Sequence, residues 1–162
     1  KLNHGSIPCL GYSFQEKDKL KINIAYSKKF GLLQHPILKQ LQSGKSIEWK
    51  GEKISVRKAT TKKPGKKITF ILDTRSCPAA ISLAKSSDIL ISESTWLEAE
   101  KKSAGYHLSA KDAALIAKKS KSKQLILTHF SQRYSSLEEF ELQAKKIFPN
   151  TLAARDFMVV EV

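Results

Sequence analysis

Four residues of this chain have the types and the placement for metal and phosphate chemistry: His4, Asp73, His107 and His129. Neutral imidazole and carboxylate are donors that zinc takes when it keeps a position open for water. An aspartate can also bridge two metals, and such a pair acidifies bound water and clamps phosphoryl oxygens during in-line displacement. His129 sits in Thr128-His129-Phe130-Ser131-Gln132-Arg133-Tyr134, where hydroxyls and a guanidinium flank the imidazole. Asp73 follows the apolar run Ile68 to Leu72 and precedes Thr74-Arg75. A lone histidine is more often structural or merely exposed. The recurrence of these residues at the ends of apolar runs is what points to one shared site, because open α/β sheets build their sites at the carboxyl ends of strands.

The elements that must hold these residues are irregular in the front half of the chain and regular in the back half. Ile7 to Phe14 and Leu20 to Tyr26 read as strands, the second by its alternation of Leu20, Ile22, Ile24 and Tyr26. His35-Pro36 opens a short helix over 37–42, which Ser43-Gly44 ends. Ile47 to Trp49 and Ile54 to Val56 flank Lys50-Gly51-Glu52 as a hairpin, and 60–67 is a polar, cationic turn or loop. From Ile68 strands and helices alternate. Strands are predicted over 68–72, 88–92, 124–128 and 157–162, and helices over about 78–85, from the capping box Ser109-Ala110-Lys111-Asp112 to Lys119, and from Ser136 to near Phe148. That alternation predicts a layered α/β sheet.

The 162 residues suit one domain with a real core. With 29 Lys+Arg against 15 Asp+Glu, the net charge is +14, which argues for a polyanionic partner, nucleic acid first and an anionic membrane surface second. A solvated Lys-rich surface is the plainer alternative. No apolar run approaches the ~20 residues of a membrane span, so no membrane insertion is expected. Cys9 and Cys77 lack metal-type spacing and read as buried free thiols in a reducing cytoplasm. The chain starts at Lys1 and its only methionine is Met158, so the expectation is that Lys1 is not a native start.

The order Asn3-His4-Gly5-Ser6-Ile7-Pro8, Asp73-Thr74-Arg75, Ser92-Glu93-Ser94-Thr95, His107-Leu108-Ser109, Thr128 to Tyr134 and Ala154-Arg155-Asp156 resembles tRNase Z, the metallo-β-lactamase-fold endonuclease family that trims tRNA 3′ ends. The resemblance implies the C-terminal half of an αββα sandwich over residues 1–162, with an inserted basic RNA-binding arm over 16–67. It implies His4 as a ligand of one zinc, Asp73 as the bridge, and His129 as a ligand of the second, with manganese or magnesium as alternative metals. His107 matches the family's general acid toward the leaving 3′ oxygen and Glu93 the residue that orients it. Ser131, Arg133 and Tyr134 would meet the scissile phosphate or shape the wall of the site. Lys28, Lys29, Lys62, Lys63, Lys66 and Lys67 belong to the arm, as does His35. Precursor tRNA is the implied partner, in a cytoplasmic homodimer.

Three departures stand out. The family's His-Glu-Ala-Thr loop reads Ser92-Glu93-Ser94-Thr95, Leu72 replaces a glycine before the aspartate, and no His-x-His-x-Asp-His string occurs anywhere. The expectation is a C-terminal half whose N-terminal half lies in a longer chain, and which alone holds zinc weakly and cuts no RNA. A metallo-β-lactamase-fold hydrolase of another substrate and a non-catalytic RNA-binding remnant are the competing readings.

Overall fold

Apolar runs and capped stretches become elements in the order β1 (Tyr12–Gln15), β2 (Lys19–Ile22), α1 (Ile24–Lys28), α2 (Leu38–Gln42), β3 (Ile47–Trp49), β4 (Glu52–Ile54), α3 (Val56–Ala59) and β5 (Thr60–Lys63). They continue as β6 (Lys67–Ile71), α4 (Pro78–Leu83), β7 (Ile89–Glu93), α5 (Ala110–Ser120), β8 (Gln124–Thr128), α6 (Glu138–Lys145) and β9 (Thr151–Ala153). This is a computed structural model that describes residues 1–98 and 105–162. The chain forms two units, one of Lys1–Gln15 with Lys66–Val162 and one of Glu16–Gly65.

The first unit is a five-stranded sheet ordered β1-β6-β7-β8-β9. β1 runs antiparallel to β6, and β6 through β9 are parallel. Parallel neighbours in chain order with crossovers of one hand place their helices on one face. That face carries Ile71, Leu90, Leu125 and Leu127, packed with Ala80 and Ala84 of α4, Ala113, Ile116 and Ala117 of α5, and Phe140 of α6. The registers Phe14↔Ile68, Tyr12↔Phe70, Phe70↔Ile91 and Ile126↔Leu152 line up an opposite apolar face. Tyr12 and Phe14 on it are 57% and 63% exposed, so no helix layer among the described residues closes this face over them. α5 starts where expected. Ser109 Oγ accepts from Asp112 N at 3.1 Å while Asp112 Oδ2 accepts from Ser109 N at 3.0 Å.

The second unit has its own core of Leu32, Leu41, Ile47, Ile54 and Ala59. Its β3–β4 hairpin turns at Lys50 (φ 52°) and Gly51 (φ 81°), the paired left-handed backbone that a two-residue turn requires. No helix among the described residues is long and apolar enough to cross a membrane.

Several predicted elements differ. The strand predicted over Leu20 to Tyr26 breaks at Asn23, whose side-chain oxygen accepts from Tyr26 N at 3.1 Å and starts α1. A local cap outcompetes the alternating pattern there. Of Ile7 to Phe14 only the end joins the sheet, since Pro8 has no N–H to offer and Cys9 O accepts from Leu2 N instead. The expected loop over 60–67 contains β5, paired antiparallel with β2. The expected strand over Phe157 to Val162 is absent, with Phe157 fully exposed. β9 closes the sheet earlier, where Glu141 Oε2 accepts from Ala153 N at 2.9 Å and Leu127 O accepts from Ala154 N at 2.8 Å.

Candidate metal and phosphate site

Asp73 and His129 each follow a parallel strand, β6 and β8, and each adopts the left-handed backbone, with φ of 50° and 56°. Aspartate and histidine are among the few side chains that tolerate this conformation. It brings the two side chains together, His129 Nε2 lying 3.1 Å from Asp73 Oδ1. His4 is brought to the same edge by backbone ties. Arg75 N donates to Asn3 O at 2.9 Å, and Asn3 N donates to Thr74 Oγ1 at 3.0 Å. The His4 and His107 rings then lie 5.0 Å apart, and those of His107 and His129 5.5 Å.

Glu93, at the end of β7, is fully buried beneath them. Its Oε1 accepts from Thr74 N, and its Oε2 accepts from Thr95 Oγ1 at 2.7 Å, His107 Nδ1 at 2.9 Å and Leu108 N at 3.2 Å. An ionised carboxylate offers about four acceptor sites, so this one is filled. Thr95 Oγ1 also meets His129 Nδ1 at 2.9 Å. Sequence reasoning did not single out Thr95 or Thr74. The one available signal is position: Thr74 directly follows Asp73 and Thr95 stands two residues after Glu93, both just past strand ends.

Among the described residues, two groups offer donor atoms within 4.8 Å of one another: His4, Asp73 and His107, and Glu93, His107 and His129. His4 Nδ1 is buried and lacks a hydrogen-bond partner among the described residues, and a buried polar atom left unpaired is costly unless a ligand or ion completes it. Glu93 has its acceptor sites taken by protein donors, so it is better placed to organise than to ligate. Asp73, grouped with His4 and with His129 Nε2 3.1 Å away, therefore fits a divalent metal held by these three residues, and His107 faces the same space. The resemblance drew its ligands from His4, Asp73 and His129, and the geometry adds His107 to both groups.

The remaining expected residues lie close by in the chain. Ser131 N donates to Thr95 O at 3.2 Å, and the Arg133 guanidinium lies 4.5 Å over the Trp96 ring. The Tyr134 hydroxyl accepts from Leu97 N at 3.2 Å while its ring packs edge-on against Phe140, so part of its role is packing. Burial, with Asp73 and Glu93 nearby, pushes the Cys9 thiol up, which suits an unreactive free cysteine. Among the arm lysines, Lys28, Lys29, Lys62 and Lys63 are exposed in the second unit, Lys62 paired with Asp18 at 2.6 Å. Lys66 and Lys67 are not part of that unit. Lys67 starts β6 and its Nζ donates to Leu83 O and Lys85 O, both at 2.8 Å, where α4 ends; Lys66 lies 3.8 Å from Asp88. The His35 ring lies 4.6 Å from that of Trp49 at a tilt of 59°, and His35 is in neither candidate donor group.

The structure resembles solved proteins of one fold class. YhfI from Bacillus subtilis, a metallo-β-lactamase-fold protein, superposes with a TM-score of 0.52 at 22% identity, over 56% of this chain and 37% of that one. A long-form RNase Z from yeast superposes with a TM-score of 0.53 at 28% identity, over 60% of this chain and 13% of that one. The fold is therefore of the metallo-β-lactamase class. No family model matches the chain. Curated proteins named Ribonuclease Z do: one from Chlamydia abortus is 38% identical and one from Pyrococcus horikoshii 36% identical, each over 97% of this chain and 51% of the relative. The chain is similar to these ribonuclease Z proteins over nearly its whole length and spans about half the length of the curated relatives it matches.

Proposed function

We propose that this chain is the C-terminal half of a zinc-dependent endonuclease that removes the 3′ trailer of precursor tRNA, with Glu16–Gly65 as its RNA-gripping arm. The observation that carries the reading is the convergence of His4, Asp73, His107 and His129 over the buried Glu93, in a chain similar to ribonuclease Z. His4, Asp73 and His129 hold the metal. When bound, it polarises the phosphoryl oxygens and acidifies the attacking water. Glu93 holds His107 through its Nδ1–H, so that the second proton of the imidazolium, on Nε2, would pass to the departing 3′ oxygen and leave His107 neutral. Ser131 and Arg133 meet the phosphate, Arg by paired N–H donors. The exposed Lys28, Lys29, Lys62 and Lys63 meet the RNA backbone, so binding falls steeply with salt. A non-catalytic RNA-binding remnant could use the buried Glu93 to tie its segments together, but it has no physical use for His4, Asp73, His107 and His129 gathered at one edge.

A two-metal site needs more ligands than this chain supplies, since the His-x-His-x-Asp-His string is absent from its sequence. The test is cleavage of a precursor tRNA carrying a 3′ trailer, with zinc present. The chain by itself binds the RNA without turnover. Joined to a segment bearing that string it cuts, and His107→Ala abolishes the cut. Turnover by the isolated chain overturns the half-site reading, and no cleavage by the joined protein overturns the nuclease reading.

A further inference from the structure

Thr95 lies between the two sides of the site, and its single hydroxyl proton decides how His129 is used. Thr95 Oγ1 is 2.7 Å from Glu93 Oε2 and 2.9 Å from His129 Nδ1. Glu93 receives donors on both oxygens, from Thr74 N, His107 Nδ1 and Leu108 N. A carboxylate surrounded in this way is an acceptor only, so the contact with Thr95 requires the hydroxyl proton. The hydroxyl then has only lone pairs left for His129, and His129 Nδ1 must carry the hydrogen. In a neutral imidazole that makes Nε2 the lone-pair nitrogen, and Nε2 is the atom facing Asp73 Oδ1 at 3.1 Å. Without a cation these two acceptors repel, and the Glu93–Thr95 contact keeps the hydrogen on Nδ1 against that repulsion; a cation bound by both atoms removes it.

We infer that Thr95 is a positioning residue that holds His129 in the Nδ1–H tautomer through the chain Glu93–Thr95–His129, so that Nε2 and Asp73 together present a metal-binding pair. The inference rests on the proposed metal reading for its purpose, though not for its geometry. Glu93 thereby serves both sides of the site: it holds His107 directly and His129 through one hydroxyl. A hydrogen-bond partner of this kind fixes tautomer and ring orientation, and losing it typically weakens metal binding ~10–100-fold.

The tautomer is read by two-bond ¹H–¹⁵N NMR of the 162-residue chain, free of metal, at a pH where imidazole is neutral, with zinc alone as the added probe afterwards. The wild type shows Nδ1–H on His129 before any metal is added. Thr95→Val shifts His129 toward Nε2–H and weakens zinc binding ~10–100-fold against a competing chelator. Thr95→Ser keeps the hydroxyl and restores both. An Nε2–H tautomer in the metal-free wild type overturns the inference, as does a Thr95→Val chain with unchanged tautomer and zinc affinity. The wild-type spectrum decides the matter even if Thr95→Val fails to fold. Nδ1–H in a wild-type chain that takes up no zinc supports the role of Thr95 and counts against the metal reading alone.

Discussion

Glu93 shows how much one side chain can hold. It is fully buried, and its two oxygens take donors from the segments of Asp73, Thr95 and His107. Hydrogen bonds to a charged acceptor are stronger than neutral ones, and leaving buried donors unmatched carries the larger cost. Glu93→Gln keeps the shape but turns one acceptor into a donor that faces other donors. The expected loss is about 1–3 kcal/mol of folding stability, measured by urea unfolding. The nearby His4 site is close-fitting for a different reason. Gly5 has φ +64°, and a Cβ there would lie 2.6 Å from the Tyr106 ring, whose centroid is 5.8 Å from that of His4, so any larger residue must displace that ring.

At the scale of elements, the last turn of the sheet depends on α6. Glu141 reaches Lys145 one helical turn on and also accepts from Ala153 N in β9. The Lys145 ammonium, then the Ala153 N–H, hold its carboxyl below the usual glutamate range. A group whose pKa is lower when folded binds fewer protons folded than unfolded, so stability rises with pH across the gap. The contribution of Glu141 is therefore present above its unfolded value of about 4.3 and lost as pH falls through the lower folded value. Thermal midpoints followed from neutral pH down to about pH 3 should fall for the wild type, and the fall should be smaller for Glu141→Gln. Equal slopes would show that the carboxylate does not tie β9 to the helix.

At the scale of the whole molecule, the sheet of the first unit is covered by helices on one face, while Tyr12 and Phe14 lie exposed on the other. Exposed apolar patches of this kind mark surfaces meant to be covered. An apolar dye such as ANS should bind the isolated chain, and Phe14→Lys should reduce the bound fluorescence. Dye binding unchanged by Phe14→Lys would place the apolar surface elsewhere. The proposed nuclease supplies a physical reason for the bare face: the relatives are about twice as long as the matched region.

What the sequence determined by itself was local. The apolar runs that became β6, β7 and β8, the capping box of α5, and the positions of Asp73 and His129 just past strand ends were legible because each depends on residues a few places apart. The order of the six motifs was legible as a family resemblance, and the ribonuclease Z relatives bear that out. Other features were decided only by tertiary structure. The break at Asn23, the pairing of β5 with β2 and the early close at β9 all turned on hydrogen-bond partners that an alternating pattern does not specify. The same holds for the site. Glu93 meets Thr74 across 19 residues, and Thr95 meets His129 across 34. Strand register sets those meetings, because a parallel sheet aligns the ends of β6, β7 and β8 at one edge. Periodicity says which face a residue takes, and only the paired sheet says which residue it meets there.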